Sequence, residues 1–277
     1  MTIDLQNKDG LSQFTTTRDG IKLSYAIHTS KKPTNKKIVL IHSLAMDKNF
    51  WLPVANQLTE IADVLTYDCR GHGVSDKPNG PYSADQFADD LKDIIDMLGW
   101  KKIIVAGASM GGSIALNFSI RHAASTSGLG LVDTTASYGD DAPKNWAERA
   151  AKTQKDGMQA LIDFQKTRWF SDGFRENNPD IVQQCIDCFC KNDVEAFSHT
   201  CNMMGSFDLR SELDHIKCPV EIIVGEEDYA TPVAMSKFLN DSIANSKMTI
   251  IKGARHLTPL ESTGKVSELL SGLADRT

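Results

Sequence analysis

The sequence lacks the features that mark a membrane, secreted or nucleic-acid-binding protein. No run of 18 apolar residues occurs, and residues 1–10 show no basic start followed by an apolar stretch. With 30 lysines and arginines against 36 aspartates and glutamates, the formal net charge is -6, and basic residues cluster only in pairs. We therefore expect a cytoplasmic protein that binds neither a membrane nor a nucleic acid; its oligomeric state is left open.

The six cysteines do not show the paired spacings of a disulfide framework, and a chain of 277 residues can bury a core without cross-links. Three of them, Cys185, Cys188 and Cys190, are close enough in sequence for a zinc site to be considered. A fourth ligand at a usable spacing is missing, and the segment looks helical. We expect reduced thiols, no metal and no cofactor.

Short β-branched runs alternate with longer amphipathic stretches, which is typical of a mostly parallel sheet flanked by helices. A helix is predicted over 84–98, followed by Gly99, and an antiparallel pair over 11–25 that turns at Asp19-Gly20. The predicted central strands are 38–41, 64–67, 103–106, 129–132, 220–224 and 248–251.

Between about residues 134 and 216 no buried strand run appears, and helix-like segments carry many aromatic residues. We interpret 135–215 as a helical cap inserted into an α/β core of 1–134 and 216–277. Such a cap would emerge at the sheet edge and form an apolar lid over the site. The predicted substrate contacts are Trp146, Trp169, Phe170, Met203 and Met204; for each of them, simple core packing is the alternative.

The segment Gly107-Ala108-Ser109-Met110-Gly111 fits G-x-S-x-G and falls between a predicted strand and a helical stretch. In that context the serine lies on a strained strand-to-helix turn and is presented at the sheet edge. Ser109 is therefore the predicted nucleophile.

A serine nucleophile needs a base and a group that orients the base. His256 follows the last strand run, where the order Ser, acid, His places the base. The loop after strand 220–224 offers three carboxylates. Asp228 is preferred by its position in that loop, with Glu226 and Glu227 as alternatives.

An oxyanion hole requires two backbone N–H donors. Met110, directly after the nucleophile, supplies one, and the loop after strand 38–41 supplies the other through Leu44. His42 and Ser43 are an alternative dyad, but a loop-shaping role for His42 is favoured because His256 already fills the role of base. The loop 68–75 is interpreted as a scaffold in which Asp68 and Arg70 make local hydrogen bonds.

These motifs, together with 67–76, Trp169-Phe170, 225–232 and 256–261, resemble the 3-oxoadipate enol-lactonases of the α/β-hydrolase superfamily over nearly the whole chain. The resemblance implies an α/β-hydrolase fold and an enol-lactone substrate that carries a carboxylate. Ala45 stands where a glycine is usual, and Ser137 stands where those lactonases commonly have a basic residue. A substrate carboxylate would then need another cation, for which the cap offers Arg149, Arg168 and Arg210.

The expected activity is hydrolysis of a small-molecule carboxylic ester or lactone through an acyl-enzyme, with enol-lactone opening as the leading reaction. A broader carboxylesterase or another lactonase is the alternative. A hydrolase-fold protein that only binds a small ligand, or a cofactor-free haloperoxidase, are further alternatives of other classes.

Overall fold

The computed structural model describes residues 12–277. Over these residues the chain alternates strands and helices, and the predicted α/β class is confirmed. The strands are β1 (Gln13–Thr16), β2 (Lys22–His28), β3 (Lys37–Ile41), β4 (Asp63–Tyr67), β5 (Ile103–Ala108), β6 (Thr126–Val132), β7 (Val220–Gly225) and β8 (Ser246–Ile251). The helices are α1 (Leu52–Leu58), α2 (Ala84–Met97), α3 (Met110–Arg121), α4 (Ala142–Asp156), α5 (Ile162–Trp169), α6 (Asp172–Asn177), α7 (Pro179–Cys190), α8 (Val194–Ser206), α9 (Val233–Ser242), α10 (Thr258–Glu261) and α11 (Thr263–Ala274). Short 3₁₀ turns lie at Lys48–Trp51, Ala123–Ser125, Met158–Leu161 and Arg210–His215.

All of the strands belong to one sheet in the order β1-β2-β4-β3-β5-β6-β7-β8. The pairs β1–β2 and β2–β4 are antiparallel, and every other pair is parallel. Strands β5 and β7 are buried along their whole length, as expected for parallel strands covered on both faces. The carboxyl ends of β3, β5, β6, β7 and β8 therefore lie side by side at one edge.

Local sequence explains the two elements predicted in most detail. Helix α2 begins at a capping box in which Ser83 and Gln86 satisfy each other's backbone N–H groups, and it ends before Gly99 at φ +70°. The predicted hairpin is present, with Thr16 paired to Lys22 across the turn. Residue 11, at which that prediction began, lies outside the described residues.

Helices α4 to α8, hereafter the inserted helices, occupy the interval between β6 and β7, with α4 packed against α8. The division into a core and a cap at 135–215 stays a prediction. No helix within residues 12–277 has the length and apolar character needed to cross a membrane.

A buried ion cluster joins the loop after β4 to its neighbours. The Arg70 guanidinium donates to both carboxylate oxygens of Asp90 on α2, at 2.7 and 2.6 Å, and to Asp19 of the hairpin turn at 2.8 Å. Asp68 accepts from Val74 in its own loop and also from Lys48 in the turn after β3. For the side chains, the prediction that Asp68 and Arg70 make local hydrogen bonds is therefore correct only for the Asp68–Val74 contact. Arg70 and Asp90 are almost fully buried, so each is the main compensation for the other's charge.

We expect Arg70→Met to destabilise the protein by about 3–5 kcal/mol, because it leaves the Asp90 carboxyl buried without its hydrogen-bonding partner. Arg18→Met is the matched control, since Arg18 also pairs with an α2 carboxylate, Asp93, but is 55% exposed. Its cost should be about 0–1 kcal/mol. Urea denaturation of both variants measures the difference, and equal losses would contradict a structural role for the cluster.

Candidate functional site

Ser109 lies on the turn between β5 and α3, with φ 53° and ψ -119°, a strained backbone conformation for a residue with a side chain. Its N–H donates to the Val132 carbonyl, and its own carbonyl accepts from the Thr134 hydroxyl. The backbone around the two glycines of the motif leaves no room for a side chain. A Cβ on Gly107 would lie 2.0 Å from the Gly111 carbonyl oxygen, and a Cβ on Gly111 would lie 2.2 Å from that of Ile41.

The three side chains predicted to react form one hydrogen-bonded chain. His256 Nε2 lies 2.9 Å from Ser109 Oγ, and His256 Nδ1 lies 2.8 Å from Asp228 Oδ2. With Asp228 as acceptor, Nδ1 carries the proton, which leaves Nε2 free to accept the proton of the serine hydroxyl. All three residues are buried.

Asp228 is fixed by its own loop. Its Oδ1 accepts from the N–H groups of Ala230 and Thr231 at 2.7 and 2.9 Å, and its Oδ2 accepts from the Thr231 hydroxyl at 2.8 Å. Burial alone would raise the pKa of Asp228, but the facing His256 and the Thr231 donors lower it below its ordinary value. Asp228 is therefore ionised at neutral pH.

The two alternative carboxylates point elsewhere. Glu226 accepts from the Gly253 N–H, and Glu227 pairs with Arg255 at 3.4 Å. Neither contacts the His256 ring, so the geometry separates Asp228 from its neighbours in the loop.

The two predicted oxyanion donors, Leu44 and Met110, flank Ser109. Met110 opens helix α3, and Leu44 lies in the loop after β3 and lines the same cavity as Ser109. Neither N–H donates a backbone hydrogen bond to another group of residues 12–277. Their role as oxyanion donors stays a prediction.

His42 makes two hydrogen bonds within the backbone of its surroundings. Its Nδ1 donates to the Ser43 carbonyl at 2.8 Å, and its Nε2 accepts from the Cys69 N–H at 3.0 Å. Burial lowers its pKa to about 4, so the ring is neutral. These contacts fit the loop-shaping interpretation of His42 and leave neither ring nitrogen for Ser43 Oγ.

Asp133, at the end of β6, joins the loops that carry the acid and the base. Its carboxylate accepts from the Gly225 N–H at 3.1 Å, the Thr258 N–H at 3.0 Å and the Thr258 hydroxyl at 2.6 Å. Gly225 precedes the Asp228 loop, and Thr258 follows His256 by two residues. Burial and the nearby Asp228 charge raise the pKa of Asp133, whereas the hydrogen bonds from Thr258 and Gly225 favour its ionised form.

A cavity of about 240 Å³ opens above Ser109 and extends between the core and the inserted helices. It is lined by Ser43, Leu44, Ser109, Tyr138, Ala142, Asn145, Trp146, Arg149, Gln165, Arg168, Trp169, Ala230, Thr231, Met235 and His256. Of the five predicted substrate contacts, Trp146 and Trp169 are in this lining. The cavity is more polar than the apolar lid that the sequence predicts.

The other three, Phe170, Met203 and Met204, are buried but do not line the cavity. Phe170 stacks on Phe174 with ring centroids 4.8 Å apart. Met203 and Met204 lie on α8, which packs against α4. They fill the interior of the inserted helices, the alternative that the sequence leaves open for such residues.

The three arginines predicted as possible partners of a substrate carboxylate differ in their surroundings. Arg210 is exposed and paired with Asp208 at 2.6 Å, away from the cavity. Arg149 and Arg168 line the cavity, and neither has a carboxylate partner among the described residues. Burial lowers the pKa of Arg149, and the charge of Arg168 lowers it further. Arg168 donates to the Tyr229 carbonyl, so the space above Ser109 is lined by two guanidinium groups that lack a carboxylate partner within residues 12–277.

Sequence reasoning missed Thr231, Tyr138 and Gln165. The spacing Asp228-x-x-Thr231 is a signal that was available, because an aspartate commonly accepts from backbone and hydroxyl groups two or three residues later. Tyr138 and Gln165 have no such local signal. Within residues 12–277, no three His, Cys, Asp or Glu side chains are grouped so that they could hold a metal ion.

We expect Asp133→Ala to destabilise the protein by about 2–5 kcal/mol, since two buried backbone N–H groups lose their acceptor. Thr258→Val removes only the hydroxyl donor and should cost about 1 kcal/mol. Urea denaturation measures both. If Asp133→Ala costs no more than Thr258→Val, Asp133 does not join the two loops.

Comparison with known proteins agrees with this architecture. The family model of the α/β hydrolase fold matches residues 36–168. The 3-oxoadipate enol-lactonase 1 of Acinetobacter baylyi is 31% identical, over 93% of this chain and 94% of its own length. The 3-oxoadipate enol-lactonase 2 of the same organism is 28% identical, over 89% and 91%.

Among solved structures, the enol-lactonase from Burkholderia xenovorans LB400 superposes with a TM-score of 0.90 at 30% identity. The match covers 95% of this chain and all of that one. The fold, the sequence and the arrangement of strands around Ser109 thus lead to one conclusion: the chain belongs to the α/β-hydrolase family and is similar to its enol-lactonases.

Proposed function

We propose that the protein hydrolyses a carboxylic ester or lactone through a covalent acyl-enzyme on Ser109. The observation that carries this proposal is the hydrogen-bonded chain from Asp228 through His256 to Ser109, which ends in the cavity. Serine is a weak nucleophile by itself, and this arrangement supplies both the base and the group that orients it.

In the proposed first step, Ser109 Oγ bonds to the substrate carbonyl carbon while its proton moves to His256 Nε2. The carbonyl oxygen becomes an oxyanion that accepts from the Leu44 and Met110 N–H groups. The bond to the alkoxy oxygen then breaks, and that oxygen takes the proton from His256. In a lactone this oxygen stays attached to the acyl chain, so the ring opens on the enzyme.

In the second step a water molecule gives a proton to His256 and bonds to the acyl carbon. The bond to Ser109 Oγ breaks, Oγ regains the proton, and the carboxylic acid leaves. Asp228, ionised and fixed by Thr231, stabilises the imidazolium that forms in each step.

We expect Asp228→Asn to lower kcat by roughly 10³–10⁴-fold, because an amide in this place favours the wrong tautomer of His256. Glu226→Gln and Glu227→Gln are matched controls in the same loop and should change kcat little, since neither contacts the ring. Turnover of a p-nitrophenyl ester measures all three. A larger loss in either glutamate variant would assign the orienting role to that residue.

We propose further that the substrate carries a carboxylate, as the resemblance to enol-lactonases implies. Arg149 lies over the Trp146 ring at 5.2 Å, and its Nε is buried without a hydrogen-bond partner. An unpaired buried cation is costly, and the neighbouring charge of Arg168 adds repulsion. A substrate carboxylate in the cavity would compensate both and would bind a guanidinium through two parallel hydrogen bonds. Arg149 would thereby replace the basic residue that is missing at Ser137.

We expect Arg149→Gln to lower kcat/KM for a carboxylated lactone by about 10- to 100-fold, the effect of losing a charge-assisted hydrogen bond. For the methyl ester of the same lactone it should change kcat/KM little. Arg210→Gln is the control, since that arginine is paired at the surface. If the wild type prefers the methyl ester, the protein is a more general esterase or lactonase.

A further inference from the structure

The loop that carries Leu44 forms a tight turn in which Ala45 has a strained backbone conformation. The Met46 N–H donates to the Ser43 carbonyl at 3.1 Å, which closes a four-residue turn. Ala45, the third residue of this turn, has φ 60° and is fully buried. A positive φ at this position favours glycine, so an alanine here needs support from its surroundings.

That support comes from a distant part of the chain. Asn192 lies between α7 and α8, and its side-chain amide donates to the Ala45 carbonyl at 2.8 Å. The same amide group contacts the carbonyls of Cys188 and Phe189 at the end of α7, at 3.0 and 3.2 Å. Asn192 therefore attaches the turn to a helix end that is itself part of the inserted helices.

Two peptide groups of the turn, Ala45–Met46 and Ser43–Leu44, connect Asn192 to the Leu44 N–H. In a trans peptide the C=O and the following N–H point in opposite directions. When Asn192 fixes the Ala45 carbonyl, it also fixes the Met46 N–H, which donates to the Ser43 carbonyl. Because the Ser43 carbonyl is then fixed, the Leu44 N–H of the same peptide group points away from Met46. His42 Nδ1 donates to the same Ser43 oxygen and fixes this plane from within the core.

We propose that Asn192 is a positioning residue for the oxyanion hole: through Ala45, Met46 and Ser43 it orients the Leu44 N–H toward the substrate oxygen. This inference depends on the proposed acyl-enzyme mechanism, in which an oxyanion forms beside Ser109. It makes the inserted helices part of the catalytic geometry as well as a wall of the cavity. Asn192 itself does not touch the substrate.

Asn192→Ala tests the inference, with kcat and KM measured on a p-nitrophenyl ester. We expect kcat to fall about 10-fold or more with little change in KM, since loss of an oxyanion donor affects mainly the transition state. The inhibition constant of a trifluoromethyl ketone, which forms a tetrahedral oxyanion adduct with the serine, should rise by a similar factor. Asn177→Ala is the matched control, because Asn177 donates to the Gly173 carbonyl of its own helix and lies away from the turn.

Ala45→Gly in the Asn192→Ala background should recover a large part of the loss, because glycine adopts the positive φ without strain. Asn192→Asp, which keeps the size of the side chain but cannot donate, is the second variant if Asn192→Ala does not fold. A kcat for the folded variant within about twofold of wild type overturns the inference. A lower kcat with an unchanged trifluoromethyl ketone constant, or with no recovery by Ala45→Gly, also overturns it.

Failure of this inference and failure of the proposed function give different results. If Ser109→Ala keeps the wild-type rate, the acyl-enzyme proposal itself is wrong. If Ser109→Ala is inactive while Asn192→Ala is normal in kcat and in ketone binding, only the role of Asn192 is wrong.

Discussion

The close approach of helix α3 to the carboxyl ends of β3 and β5 is the constraint on which the site depends. At Gly111 the helix backbone lies so near the Ile41 carbonyl that no side chain fits between them. This contact brings the start of α3, with Ser109 and the Met110 N–H, next to the loop after β3, with the Leu44 N–H. Ser109 occupies its strained conformation because β5, β6 and α3 fix the backbone on both sides.

The loops that complete the site are joined by buried polar groups. Asp133 accepts from the loops after β7 and β8, and the N–H groups of His256 and Leu257 donate to the last carbonyls of α5, at 3.3 and 3.0 Å. Asn192 makes a corresponding contact on the opposite side, to the loop after β3. Arg168 at the end of α5 also donates to the Tyr229 carbonyl, so the inserted helices and the turn between α7 and α8 are hydrogen-bonded to the loops after β3, β7 and β8. Movement of these helices would change the geometry of the proposed oxyanion hole and base together.

Sequence patterns predicted the parts of the molecule that local chemistry determines. The central strands and α2 were predictable because each has a characteristic sequence pattern. Strands buried on both faces are continuous apolar runs, and a helix packed on a sheet has apolar residues three or four positions apart. The motif around Ser109 and the chain order of Ser109, Asp228 and His256 were likewise visible. The structure brings these three together, and their catalytic roles remain proposals.

The cavity was not predictable to the same degree, because its lining depends on how the inserted helices pack. The helical period shows which face of a helix is buried. It does not show whether that face packs against another inserted helix or lines the cavity. Phe170, Met203 and Met204 therefore belong to the packing between helices, whereas Arg149 and Arg168 line the cavity. The attachment of Asn192 to Ala45 joins residues far apart in sequence and has no sequence signal beyond an alanine where glycine is usual.

In the proposed reaction Ser109 becomes acylated during turnover. This acylation is tested most directly by rapid acid quench of the protein with a p-nitrophenyl ester, followed by proteolysis and mass spectrometry of the peptides. We expect a burst of p-nitrophenol and a peptide containing Ser109 that is heavier by one acyl group. Acylation at a different residue, or steady turnover in which no acylated peptide forms at any quench time, would contradict the proposed reaction.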